Sequence, residues 1–235
     1  MRALDSRPNV RYDISRLTGR FVLFGDSKMA PKLKPETLVE RREQILTAAL
    51  TCFSRKGYHQ TTMDDIVEAS GLSKGGLYWH FASKKELFLA LFDQLFVTAA
   101  DQFSTILAAH GGTAEERLLL ALDLMVQMAT ADEMQQAVPL MIDVWAQNRQ
   151  DPEVNGAAVE VYDRLRRPMV DLIEEGISSG EFRPVDANAL ASILLGMYDG
   201  LAVQWMIDSS AVEWDNITET VTKTLVAGLL AASES

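Results

Sequence analysis

The sequence holds a single cysteine, Cys52, among 235 residues. No intrachain disulfide can form, and the composition fits a reducing cytoplasm. Histidines are also few: His59, His80 and His110. Metal clusters and Cys/His catalysis therefore lack material. No nucleophile elbow, phosphate loop or dinucleotide fingerprint occurs. Carboxylates are plentiful, but no pair of them stands out. Neither a metal nor a cofactor is expected, and an enzyme is the disfavoured class. The longest apolar runs fall short of a bilayer, so no membrane span is expected. Strand-like alternation is never sustained, hairpin dipeptides between β-rich runs are missing, and no internal repeat is visible.

Positive charge is scarce overall, with 22 Lys+Arg against 33 Asp+Glu and a net charge of −11. Its distribution matters more than its sum. Residues 1–96 carry 15 basic and 11 acidic residues; residues 97–235 carry 7 and 22. An acidic body repels DNA, so any contact with DNA falls to the N-terminal third.

What is present is helical periodicity. Residues 1–35 are the exception: basic, without a packing pattern, and expected to be a disordered extension. They could instead be a basic arm touching DNA, or the natural start could be Met29. Phe21-Val22-Leu23-Phe24 is too short for a secretory signal. From Glu36 onward Ile45, Ala48, Ala49, Cys52 and Phe53 share one helix face. Gly57 supplies a stop. Thr61-Thr62 before Met63-Asp64-Asp65 is an N-cap signal. Gly71 ends that short helix, and Ser73 caps another containing Leu77 and Phe81. Ser83-x-x-Glu86 reads as a capping box opening a fourth helix to about residue 108. Further helices are expected at about 114–130, 133–148, 153–178, 187–208 and 213–231. The fold class is all-α.

Two short helices with a tight glycine-containing turn, followed by a longer helix, make a helix-turn-helix at residues 62–81. The stretch TTMDDIVEASGLSKGGLYWHFASKKELF, residues 61–88, resembles the DNA-binding domain of TetR-family regulators, the multidrug-efflux repressors in particular. The likeness runs from about Val39 to Ala99. It implies a DNA-binding domain at 36–96 and a helical effector-binding and dimerisation domain at 97–235. It also implies a ligand-responsive, cytoplasmic repressor that binds a near-palindromic operator in double-stranded DNA as a homodimer. Activation is an alternative, as is a DNA-bound protein that regulates assembly.

A recognition helix reads base edges near its N-terminus. Lys74, after the cap Ser73, can donate there to guanine or phosphate. Gly75 and Gly76 permit close approach of backbone to DNA, or else form a frayed turn. The resemblance places Tyr78 on DNA and gives His80 and Lys84 phosphate contacts. Trp79 is expected to pack the small domain, with its edge reaching the groove. Thr62 sits at a helix N-terminus that favours an anion, and can cap its helix as well as bind a phosphate. Lys85 is read as solvated.

In the body, Asp186 to Asp208 is apolar on nearly all sides. One face fits the protomer core, and the other needs a partner. Gly196 and Gly200 allow close helix approach. The helix 213–231 adds Ile217, Val221, Leu225 and Leu229. With Leu194, Tyr198, Leu201 and Trp205 these form the expected dimer interface, as the family's does. The alternative is a large monomeric core. A weaker likeness, in Trp145 to Gly156, Tyr162–Leu165 and residues 173–184, points to the subgroup that includes choline-responsive repressors. Family members bind an effector between central helices. Here those helices offer Met125, Met128, Met134, Met141, Trp145, Tyr162 and Met169, unless the methionines are plain core. The effector expected is apolar or amphipathic, or cationic if the body's acids face it. Arg166-Arg167-Pro168 reads as exposed charge with a helix irregularity. The resemblance further implies that effector binding moves the helix after Ser83.

Overall fold

The computed structural model describes residues 38–230. The extension 1–35 and the alternative start at Met29 lie outside the described residues. Short-range signals set the first elements. Helix α1, Leu38–Lys56, buries Ile45, Leu46, Ala49 and Phe53 on one stripe and ends before Gly57, whose φ is +78°. Helix α2, Met63–Ser70, opens on a full capping box between Thr62 and Asp65 and closes at the left-handed Gly71. Helix α3, Lys74–His80, starts where Ser73 Oγ accepts the Gly76 amide at 3.1 Å. The long helix α4 spans 84–109. It runs as Lys84–Phe92, then a π turn at Asp93–Val97, then Thr98–Ala109. Its start departs from a capping box by one residue. Ser83 Oγ accepts from the Glu86 amide, but the Glu86 carboxylate accepts from Ala82 instead of Ser83.

The body consists of α5 (Ala114–Thr130), α6 (Asp132–Asn148), α7 (Pro152–Ser178), α8 (Ala187–Ile207) and α9, which spans 214–229 with a second π turn at Thr222–Val226. The described residues thus form nine helices and no strand, as the all-α expectation requires. A lone bridge joins Phe182 and Leu230. Asp199-Gly200, a turn signal in isolation, lies inside α8. Pro168 lies inside an unbroken α7.

Helix α7 is the hub, packing on α4, α5, α6 and α8, while α4 passes from the head into the body and α1 rests on α6. Beyond α7 the chain turns back tightly. A Cβ on Gly176 would lie 2.2 Å from the Phe182 ring and 2.9 Å from the Ala114 Cβ, so only glycine fits there. Phe182 N–H donates to Gly176 O, and Arg183 N–H to Leu229 O, both at 2.9 Å. The Glu181 carboxylate accepts the Ala114 amide at 2.8 Å, capping α5.

Helix α8 is apolar along most of its length. By length and composition it is long and apolar enough to cross a membrane. Only 17% of its most apolar stretch is buried within the protomer. Ala187, Ala191, Leu194 and Leu195 face inward, and the opposite face carries exposed apolar side chains, Ile193 at 58% and Ile207 at 77%.

Candidate nucleic-acid interface and ligand cavity

Helix α3 is anchored by one side chain. Leu77 is fully buried in the hydrophobic core, and that burial is worth about 1.5–3 kcal/mol. The flanking positions then face outward. Lys74 is exposed, Tyr78 is 43% exposed and Trp79 is 67% exposed. Trp79 therefore does not pack the small domain, contrary to the sequence reading; it stacks edge-on against His80, with ring centroids 4.6 Å apart. Gly75 and Gly76 are both helical, which removes the frayed turn. A Cβ on Gly75 would meet nothing within 4 Å. No internal packing demands this glycine, and the open space above it suits an approaching phosphodiester backbone.

Two expected phosphate ligands are engaged internally. The Lys84 ammonium donates to three carbonyls, Tyr58 at 2.7 Å, Thr61 at 2.8 Å and His59 at 3.1 Å, and lies 4.6 Å from the Tyr58 ring centroid. Burial lowers its pKa. In the DNA-free chain all three of its donors are spent on fastening the turn before α2. The Thr62 amide and hydroxyl both bond Asp65 Oδ2 at 2.8 Å. The anion expected at this helix N-terminus is thus already supplied by Asp65, whose pKa is held far below the usual carboxylate range by hydrogen bonds from Lys56 and Thr62. His80 is half-buried, and burial followed by Arg41 and Arg42 of α1 pushes its pKa down. That pair of arginines, with Arg42 also 5.6 Å from the Phe81 ring centroid, was missed in the sequence. Two adjacent cations at the start of α1 were the available signal.

The head's charge also differs from expectation. The positive excess of residues 1–96 resides in residues 1–37; residues 38–96 carry seven basic and seven acidic residues. Lys74 itself pairs with the exposed Asp64 at 2.7 Å. Such an exposed pair is readily exchanged for a phosphate or a guanine.

A cavity of about 900 Å³ opens between α4, α6, α7 and α8. Met128, Met141, Trp145 and Tyr162 line it, as does Met134. Met125 and Met169 do not. Both are buried in the body core, where the same apolar side chain serves packing alone. The sequence reading missed Phe88, Phe92 and Phe96, a stripe at i, i+4 and i+8 on α4. Their spacing could have flagged them, but a core stripe looks the same. The polar wall is small. Tyr162 Oη donates to Asp199 Oδ2 at 2.8 Å, and Arg166 Nη1 pairs with Asp163 Oδ1 at 3.3 Å. Arg166 is thus in the cavity wall and not merely surface charge, and its Nε is buried without a partner. Burial raises the pKa of Asp199, Tyr162 and Tyr198.

Lys85, read as solvated, instead bridges head and body. Its ammonium sits 2.7 Å from both Asp151 Oδ2 and Glu153 Oε2. Asp151 Oδ1 caps α7 by accepting the Glu153 and Val154 amides. Val154 and Asn155 line the cavity. One turn of α7 therefore touches both the cavity and the root of α4.

Several expected dimer residues are corrected. Leu194, Val221 and Leu229 are buried in the protomer. Tyr198 and Trp205 line the cavity wall, and Leu201 sits half-buried beneath α9. Gly196 and Leu225 are exposed as expected. The outward stripe of α8 is Ile193, Gly196, Gly200 and Ile207, at i, i+3, i+7 and i+14, while Val203 between them is half-buried and lines the cavity. Added Cβ atoms on Gly196 and Gly200 would meet nothing within 4 Å.

Two family models match the chain. The model of the tetR family of bacterial regulatory proteins matches residues 45–91. The C-terminal model of BetI-type transcriptional repressors matches residues 114–231. YfiR, an uncharacterized HTH-type transcriptional regulator of Bacillus subtilis, is 32% identical over 179 residues, 74% of this chain and 83% of the relative. A transcriptional regulator from Saccharomonospora viridis, solved in complex with choline, superposes with a TM-score of 0.71 at 25% identity, covering 83% of this chain and 100% of that one. The regulator FadR of Bacillus subtilis, solved with stearoyl-CoA, shares the fold at a TM-score of 0.65 and 20% identity, covering 79% and 98%.

Proposed function

The chain belongs to the tetR family of bacterial regulatory proteins and is a DNA-binding transcriptional regulator; from that premise we propose a cytoplasmic, ligand-released repressor that reads a near-palindromic operator as a homodimer. The observation that carries the proposal is α3. Buried Leu77 fixes the helix while Lys74, Gly75, Tyr78 and Trp79 face outward together. Lys74 and Tyr78 reach bases or phosphates, His80 adds a phosphate contact, and Trp79 packs against the groove wall. Residues 36–96 act as the reading head and 97–235 as the sensing and pairing body. One head reads few base pairs, so two are needed. The exposed stripe on α8, joined by Leu225 of α9, is the face that pairs the two copies. Two close-approach glycines and three branched apolar residues suit helix-on-helix contact.

Release works through α4. The phenylalanine stripe of that helix lines the cavity, and its first turn holds Lys85 against the start of α7. A ligand between α4 and α7 favours one setting of α4, hence one spacing of the two heads. Linkage requires that this setting be the one that binds DNA less well.

The test begins with operators selected from random duplexes by the purified protein. Tyr78→Ala and Lys74→Ala are each expected to weaken binding about tenfold or more, with helicity and dimer mass unchanged. Native affinity in both variants would remove α3 from the interface.

A further inference from the structure

We infer that the cavity takes an amphiphilic monocation, with its apolar body along Phe88, Phe92 and Phe96 and its cationic head beside Asp199. This rests on the ligand-released reading above and names the ligand class for that same cavity. Size is the first argument. A volume of about 900 Å³ lies at the upper end of pockets for drug-sized ligands, so a small headgroup alone leaves most of it unfilled. The walls are the second. Three phenylalanines, Met128 and Met141 offer a continuous apolar track, with little to hydrogen-bond a polar body.

Charge decides the head. Three charged side chains, two acids and one base, enter the wall: Asp163, Asp199 and Arg166. Arg166 and Asp163 answer each other. Asp199 accepts a single hydrogen bond, from the Tyr162 hydroxyl, and no basic side chain among the described residues pairs with it. A carboxylate partly withdrawn from water and left without a counter-ion is destabilised; burial already pushes its pKa up. A ligand cation supplies the missing charge. Tyr162, Tyr198 and Trp205 line the same wall, and aromatic faces attract weakly hydrated cations. An anionic head fares worse. It would meet Asp199 directly, and the one basic side chain of the wall, Arg166, already pairs with Asp163 through Nη1 at 3.3 Å, so the wall keeps one acid in excess even though the Arg166 Nε has no partner. The acidic body, with 22 acids against 7 bases in residues 97–235, draws cations toward the opening.

The experiment uses the full chain and three probes of equal length below their micelle concentrations: decyltrimethylammonium, decanoate and decanol. Quenching of Trp145 and Trp205 in the cavity wall reports binding. The cation is expected to bind about tenfold more tightly than either other probe, and more tightly than choline by a larger margin. Asp199→Asn should bring the cation down to the level of decanol, with circular dichroism unchanged. Should that variant fail to fold, the native protein carries the test by pH. Asp199 faces Tyr162 from α7 and neighbours Tyr198 on α8, while Asp163 and Arg166 of α7 line the same cavity. Cation affinity should fall as pH drops through its raised pKa, while decanol affinity stays level. Tighter binding of decanoate, choline matching the long-chain cation, or a preference indifferent to both Asp199→Asn and pH would each overturn the inference. Operator release is measured separately. Cation binding without release would sink the ligand-released reading and leave the ligand class standing; release by decanoate alone would do the reverse.

Discussion

The head and the body use different kinds of information. In the head, nearly every boundary is a contact between residues three or four apart: Thr62 with Asp65, Ser73 with Gly76, Ser83 with Glu86. Its function rests on a few placed donors above one anchor, with basic and acidic residues equal in number across 38–96. In the body, the decisive contacts join distant segments: Tyr162 with Asp199, Lys85 with Asp151, Glu181 with Ala114. The function proposed for it rests on a cavity between helices and on one uncovered helix face. A surface that reads DNA can thus be specified locally, whereas a cavity exists only after remote helices have met.

If that division is real, Leu77→Ala should damage one half alone. Truncating a fully buried leucine costs about 2–5 kcal/mol, enough to melt a small head. Thermal unfolding followed by helicity should split into two transitions, with operator binding lost and the Trp145 and Trp205 signal kept. A single transition lowered as a whole would show that head and body are one cooperative unit. Next in size is Ile193→Asp on the outer stripe of α8. Sedimentation should show a monomer, and operator affinity should fall about a hundredfold because one head holds too few contacts, while the head stays folded. A dimer that survived this change would move the pairing face elsewhere. The smallest effect concerns His80. Burial, Arg41 and Arg42 depress its pKa in the free chain; a nearby phosphate would raise it. Binding then takes up a proton, so operator affinity should rise a few-fold, on the order of half a pKa unit, as pH falls from about 7.5 to 6. His80→Gln should flatten that slope, and a native slope already flat would take His80 off the DNA.

The same division explains what could be read from the chain alone. Helix limits, the turn at Gly71 and the outward set on α3 follow from caps and short periods, which lie within a few residues. The internal anchoring of Lys84 was hidden because its three carbonyl partners lie 23 to 26 residues upstream, beyond any local pattern. Trp79 was misread because a large aromatic next to a core position is usually buried, and only the rotation of α3 about Leu77 turns it out. On α8 the apolar run is so nearly continuous that its phase is invisible: Leu194 and Ile193 look alike in sequence and face opposite ways. Met125 and Met169 could not be told from Met128 and Met141, since core and cavity wall use the same residue. Asp199 carried no signal until Tyr162 was brought beside it.

The fastening around Gly176 imposes an order of events during synthesis. It ties Ala114, the Gly176–Arg183 turn and Leu229 together. A ribosome must therefore have made the chain through Leu229 before the knot can close. The head's core residues run only from Ile45 to Leu91, and their contacts close short loops. The nascent head is thus free to fold first, while the uncovered face of α8 and the oily wall of the future cavity are still being assembled. Aggregation risk during translation concentrates in the second half of the chain.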